Sequence, residues 1–237
     1  MHRNRDGDMS LTPEIILAAY AQGLFPMAGA ADDPQVFWMQ PHRRGVIPLA
    51  AAPIVSGGGL RLSRSARRGL NRRLVRDGWR VTCDTAFAAV IDGCAARPET
   101  WINMPIRQVF AALHRLGHAH SVELWDAGGR LAGGVYGLAM GGAFFAESMF
   151  SARRDGSKIA LAELVARLEA GGFLLLDTQY LTDHLASLGG IEIGRERYRA
   201  LLSKALAAPA RHGLAFAHHH PDTPSGAFCL GAGWGRR

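Results

Sequence analysis

HSVELWD (120–126), RLAGGVYGLAM (130–140) and GAFFAESMF (142–150) are followed by SKIALAELVARLEA (157–170) and FLLLDTQ (173–179). The first three runs are apolar, strand-like in length and separated by turn signals, with Gly128-Gly129 making the first connection a tight hairpin. The fourth has helical periodicity and closes at Gly171-Gly172, and the fifth is a short apolar strand. Working outward, WRVTCD (79–84) reads as another strand. TAFAAVIDGCAA (85–96) and MPIRQVFAALHRLG (104–117) read as helices, the second closed by Gly117. Ser63 is placed to cap a helix beginning near Leu62. Before it, Thr12-Pro13-Glu14 opens a short helix over IILAAYAQ, which Gly23 ends. The stretch 32–48 suggests short strands and turns. This order predicts an α+β chain with a small N-terminal α/β subdomain over 1–58, divided at SGGGL (56–60) from a main domain over 59–208. The tail, 209–237, is rich in Ala, Gly, Pro and His and is expected to be poorly ordered.

At 237 residues, 48% hydrophobic and 20% charged, the chain can bury a sizeable core. No apolar run is long enough to span a membrane. MHRNRDGDMS (1–10) lacks the apolar stretch of a secretion signal, and the odd set Cys83, Cys94 and Cys229 has no CxxC spacing. These features point to a reducing, cytoplasmic setting. The ten histidines are not spaced with Cys or carboxylates as metal ligands, so no metal site is expected.

The net charge is +7. Its cations cluster: Arg61, Arg64, Arg67, Arg68, Arg72, Arg73, Arg76 and Arg80 are opposed only by Asp77. Without interleaved acids, an anionic partner would relieve their repulsion. Arg64, Arg67, Arg68 and Arg72 share one helical side, suited to successive phosphates of a structured RNA. A solvated helix face is the alternative.

Strand alternation places Asp177 and Gln179 on one face of FLLLDTQ, and Phe145, Glu147 and Met149 together on GAFFAESMF. Carboxylates in such apolar surroundings need partners. They are either hydrogen-bonded strand-end residues or the polar part of a pocket for a cationic amine.

Two resemblances follow. The order of antiparallel strands, helix and parallel strand is similar to the core of the Gcn5-related acetyltransferase fold. The ordered set AYAQGLFPM (19–27), VFWMQPHRRGVIPL (36–49), LSRS (62–65), ETWIN (99–103), GHAHSVELW (117–125), GGVYG (133–137), FFAESMFS (144–151), SKIAL (157–161) and LDTQYLTDHLASLG (176–189) resembles the leucyl/phenylalanyl-tRNA–protein transferases over roughly residues 11–200. This resemblance implies transfer of Leu or Phe, with Met as a further donor, from aminoacyl-tRNA to the α-amine of proteins with N-terminal Arg or Lys, which marks them for N-degron degradation. It implies Asp177 and Gln179 as the pair that positions the amine and relays charge, with Glu147 at the acceptor and aminoacyl end. Phe145, Met149, Phe150, Trp101 and Met27 are the expected apolar pocket, Met27 standing where some members carry Trp. Arg64, Arg67, Arg68, Arg72 and Arg73 are expected to carry the tRNA. No cofactor is required, because the ester is already activated, and neither DNA nor membrane is an expected partner. The chain begins just before the first helix, so part of the first layer of longer members is expected to be missing.

Two other functions fit less well. An acyl-CoA N-acetyltransferase needs a glycine-bearing phosphate loop, and FSARRDGSKIA offers only Gly156. Arg153, Arg154 and Lys158 could nevertheless meet phosphates, including those of a tRNA end. A noncatalytic RNA-binding protein explains the arginines and leaves Glu147 and Asp177 unexplained.

Overall fold

A computed structural model describes residues 11–51, 59–97 and 99–216. In chain order the elements are α1 (Pro13–Ala21), β1 (Phe25–Met27), β2 (Phe37–Met39), β3 (Arg43–Ile47), α2 (Arg64–Asn71) and β4 (Arg80–Cys83). Next come α3 (Phe87–Ala95), α4 (Met104–Arg115), β5 (Ala119–Trp125), β6 (Leu131–Met140), β7 (Ala143–Ser151) and α5 (Gly156–Gly171). The chain then forms β8 (Leu175–Gln179), α6 (Asp183–Ser187), β9 (Ile191–Gly194), α7 (Arg195–Ala207) and α8 (His212–Phe216).

Local chemistry sets the helix ends. Thr12 Oγ1 accepts from Ile15 N, Ser63 Oγ from Ala66 N and Asn103 Oδ1 from Ile106 N, so three helices start on side-chain caps. Past α2 the backbone widens into a π-helical turn over Arg72–Arg76, a change of pitch that arginine spacing alone does not announce.

Seven strands form one mixed sheet in the order β4-β5-β6-β7-β8-β3-β9. β5, β6 and β7 pair antiparallel, and β8 returns parallel to β7 after α5. Helices cover both faces. On one, α5 packs with Leu70, Leu74, Phe144 and Phe216. On the other, residues of α1, α3, α4 and α7 enclose Phe145, Tyr136 and Tyr20.

Two expectations change. The proposed boundary at residue 58 lies outside the described residues, but β3, on its N-terminal side, is no separate layer: it lies between β8 and β9. Among the described residues, only β1 and β2 form a small sheet of their own. The first part of the expected tail, up to Phe216, is packed against the core. Phe216 is 6% exposed, stacks on His120 with centroids 3.9 Å apart, and meets Phe144 and Phe173. Arg167 of α5, itself buried beside Glu163, donates to Ala215 O at 3.1 Å. The remainder of the tail, 217–237, lies outside the described residues.

Phe216→Ala is therefore expected to cost about 3 kcal/mol or more in urea unfolding, the usual range for deleting a buried aromatic. A loss below about 1 kcal/mol would mean that α8 is not docked.

Candidate active site

The parallel ladder between β7 and β8 pairs Ala143 with Leu175, Phe144 with Leu176 and Phe145 with Asp177. Beyond it, Glu147–Ser151 and Thr178–Tyr180 line a cavity of about 780 Å³. Met27 from β1, Trp101 from the α3–α4 connection, and Met149 and Phe150 from β7 supply its apolar wall. Phe150 lies over two glycines: a Cβ on Gly93 would meet its ring at 2.7 Å, and one on Gly134 at 3.2 Å.

Glu147 reaches this cavity through a β-bulge. Tyr136 pairs with Ser148 and Gly137 with Ala146, so Glu147 has no partner across the ladder. Gly137 is needed opposite, since a Cβ there would come within 2.1 Å of Phe145 O. The extra residue breaks the alternation expected from sequence. Phe145 and Phe150 pack with the α3-side cluster, whereas Met149 packs with the opposite one. Met149 thus shares the cavity with Glu147 but not its sheet face. Phe145, expected in the pocket, is instead fully buried behind it, edge-on to Tyr20 at 4.9 Å.

Glu147 Oε1 accepts from Tyr20 OH at 2.7 Å and from Gln179 Nε2 at 2.9 Å, while Oε2 is buried with no partner among the described residues. Burial pushes its carboxyl up to about 8, against the pull of the Tyr20 hydrogen bond. Gln179 is held with φ +57°, unusual outside glycine, by its own N–H donating to Asp177 Oδ1 at 2.8 Å. With its amide nitrogen on Glu147, Gln179 presents its amide oxygen as the atom left to accept.

Asp177 does not open onto the cavity, contrary to the sequence expectation; it is 0% exposed. Arg44 of β3 donates to it through Nε at 2.9 Å and Nη2 at 2.7 Å, and Tyr198 OH of α7 donates at 2.7 Å. Arg44 Nη1 reaches Gly23 O at 3.0 Å, and its guanidinium lies between the rings of Phe25 and Tyr198, 4.5 and 4.7 Å from their centroids. Burial disfavours the Arg44 charge, but the Asp177 carboxylate more than offsets this and holds it protonated. Burial, then Asp177, raises the Tyr198 phenol, and burial, then Glu147, raises that of Tyr20. Arg44, Tyr20 and Tyr198 were not singled out from the sequence, since their partners lie far away along the chain. Arg97, also missed, donates to Met149 O at 3.0 Å on the cavity rim.

The arginines divide. Arg68 and Arg72 line an open groove of about 950 Å³ with Arg76, and across it stand Arg154, Asp155 and Lys158. Arg64 is exposed and Arg67 half-buried, and neither lines the groove. Arg73 also lines the groove but is mostly buried: it is 9% exposed, lies over Trp79 and meets Asp155 at 3.5 Å.

Arg44→Met leaves Asp177 buried without its cation, which is expected to cost about 3–5 kcal/mol in urea unfolding. Adding Asp177→Leu should recover most of that loss. A single variant as stable as the parent would show that the pair is not desolvated.

Comparison with known proteins bears on the family. A family profile described as leucyl/phenylalanyl-tRNA protein transferase matches residues 54–203, and a second, for the N-terminal domain of that family, matches residues 9–42. A relative named leucyl/phenylalanyl-tRNA–protein transferase from Ruegeria pomeroyi is 58% identical over 84% of this chain and 88% of its own. Relatives of the same name from Afipia carboxidovorans and Nitrobacter winogradskyi are 52% and 55% identical, over 87% and 86% of each chain respectively. Among solved structures, a C-terminal domain from Agrobacterium fabrum covers 82% of this chain and 63% of that one at 12% identity and a TM-score of 0.35, too low to assign a fold. On the profiles and the relatives, the chain belongs to the leucyl/phenylalanyl-tRNA–protein transferase family.

Proposed function

We propose that this chain transfers leucine or phenylalanine, with methionine as a further donor, from aminoacyl-tRNA to the α-amine of cytoplasmic proteins that begin with Arg or Lys, marking them for N-degron degradation. Beside family membership, one observation carries the reading: Glu147, in the wall of a cavity lined by both apolar and polar side chains, keeps a buried oxygen that has no hydrogen-bond partner among the described residues. The donor side chain lies among Met27, Trp101, Met149 and Phe150. The order β5–β6–β7, α5, β8 supports an acetyltransferase-like core, with the reaction centre past the end of the β7–β8 ladder.

The amine nitrogen attacks the ester carbonyl, forming a tetrahedral oxyanion. The carbon–oxygen bond to the terminal ribose then breaks, and the proton lost by the amine ends on the departing ribose hydroxyl. A carboxyl pushed up to about 8 is matched to an α-amino group of ordinary pKa about 7.7–8.0, so the proton passes between them at little cost. Gln179 accepts a hydrogen bond from the amine and aligns it. Asp177 touches neither substrate: it fixes the Gln179 backbone and stays bound to Arg44. No covalent intermediate is needed, and positioning an activated ester supplies effective molarities of about 10⁵ M or more. The groove beside Arg68, Arg72 and Arg76 takes the tRNA phosphates.

Labelled Phe-tRNA or Leu-tRNA mixed with a peptide beginning in Arg should label that peptide and leave its N-acetylated form blank. Equal labelling, or none, would overturn the reading.

Glu147→Gln is isosteric and keeps an acceptor for Tyr20 and Gln179. It is expected to lower kcat/KM about 10²- to 10⁴-fold. The variant should also report the carboxyl's protonation. Because the folded value, about 8, exceeds the ordinary 4.5, the folded state binds the proton more tightly. Wild-type stability then falls as pH rises between these values, by up to about 1.4 kcal/mol per pH unit, and is level outside them. Urea unfolding from pH 5 to 8 should show the variant gaining on the wild type; parallel curves would mean that Glu147 is already ionised.

A further inference from the structure

The basic groove and the apolar cavity share one wall, the connection from Ser151 to Lys158 between β7 and α5. Ser151 and Ser157 line the cavity, while Arg154, Asp155 and Lys158 line the groove. The wall is held in place. Ala152 N and Arg153 N both donate to Ala132 O, at 3.0 and 2.9 Å, and Ser157 N donates to Ser151 Oγ at 2.8 Å. Gly156 lies so close to β6 that a Cβ would come 2.3 Å from Ala132 O. Its charge is positive: one carboxylate, Asp155, is shared by Lys158 at 3.0 Å, Arg73 at 3.5 Å and Arg154 at 3.9 Å. Arg154 is almost wholly exposed, with a side chain 91% accessible. Lys158 stands at the crossing. It meets Asp155 on the groove side, and its charge, after burial, makes His184 on the cavity side less basic.

We propose that Lys158 and Arg154 form a phosphate subsite for the last internucleotide linkages of the donor's 3′ end, where that strand passes from groove to cavity. This rests on the reading that the donor is an aminoacylated RNA. An ester carbonyl within reach of Glu147 and Gln179 keeps the terminal nucleoside in the cavity. The strand behind it must then cross the shared wall to meet the groove arginines. A lysine ammonium is a point charge suited to phosphate whatever the base. Asp155 holds the cations together without neutralising them, so the subsite stands ready before the RNA arrives.

Direct binding tests the subsite apart from transfer. The probes are the uncharged trinucleotide CpCpA, which carries internucleotide phosphates, and adenosine, which carries none. Lys158→Met should weaken CpCpA about tenfold in titration calorimetry and leave adenosine unchanged, and Lys158→Arg should restore most of the affinity. With Arg154→Met added, the slope of log Kd against log salt should fall by about 1.4, from roughly 0.7 for each phosphate of a single strand that is no longer neutralised. In transfer, Lys158→Met should raise KM for Phe-tRNA at near-constant kcat while leaving phenylalanyl-adenosine alone. Unchanged CpCpA affinity would overturn the subsite, as would an equal loss on adenosine. Absence of transfer by the unsubstituted chain would instead sink the proposed reaction, and the binding result would still decide the subsite.

Discussion

Arg44 reaches from β3 across to Asp177 of β8, 133 residues away, and both ends are out of water. A pair of this kind gains little stability over an apolar substitute, because desolvation consumes most of the Coulombic attraction. What it does here is fix positions. The same guanidinium holds Gly23 O and lies between Phe25 and Tyr198, so α1, β1, β3, β8 and α7 meet on one side chain. The remaining capacity of Asp177 is spent on Tyr198 and the Gln179 N–H. A left-handed glutamine at the end of a strand is strained, and here the strain is held by a carboxylate that cannot move. Removing the ion pair would leave a sheet capable of forming and a Gln179 with no reason to point at Glu147.

The motifs that suggest a candidate site in the sequence, ESMF and DTQ, do so as residue types, and their orientation is only partly legible. Alternation put Glu147, Phe145 and Met149 on one face, but the bulge at Glu147 sends Met149 to the other. The local sign of that bulge is Gly137, a glycine inside a strand, which marks an irregularity without saying which neighbouring residue is extruded. Asp177 read as a pocket residue because its cation lies in QPHRRGVIPL, a stretch that looks like a basic turn until β3 is seen inside the sheet.

Helix starts were legible at Thr12 and Ser63, whose side chains cap them. Changes of pitch were not. In the wide turn after α2, Arg73 lines the groove with its neighbours but is mostly buried, a difference that periodicity does not show. Composition likewise misjudged the start of the tail. Ala, Gly and His dominate it, yet Phe216 meets His120, Phe144 and Phe173, and with the Arg167–Ala215 hydrogen bond this docks a five-residue helix.

Two carboxyl groups on adjacent strands thus end in opposite surroundings. Asp177 has a guanidinium on two nitrogens, a phenol and a backbone N–H, leaving neither oxygen available to an incoming amine. Glu147 takes only the neutral donors Tyr20 and Gln179 and keeps Oε2 unpartnered. Proton exchange requires a group that can exist in both states at modest cost, which a carboxylate locked to an arginine cannot do. Of the two, Glu147 is therefore the one able to change charge at modest cost, as the proposed mechanism requires. Asp177 instead holds the backbone N–H of the glutamine whose amide donates to Glu147.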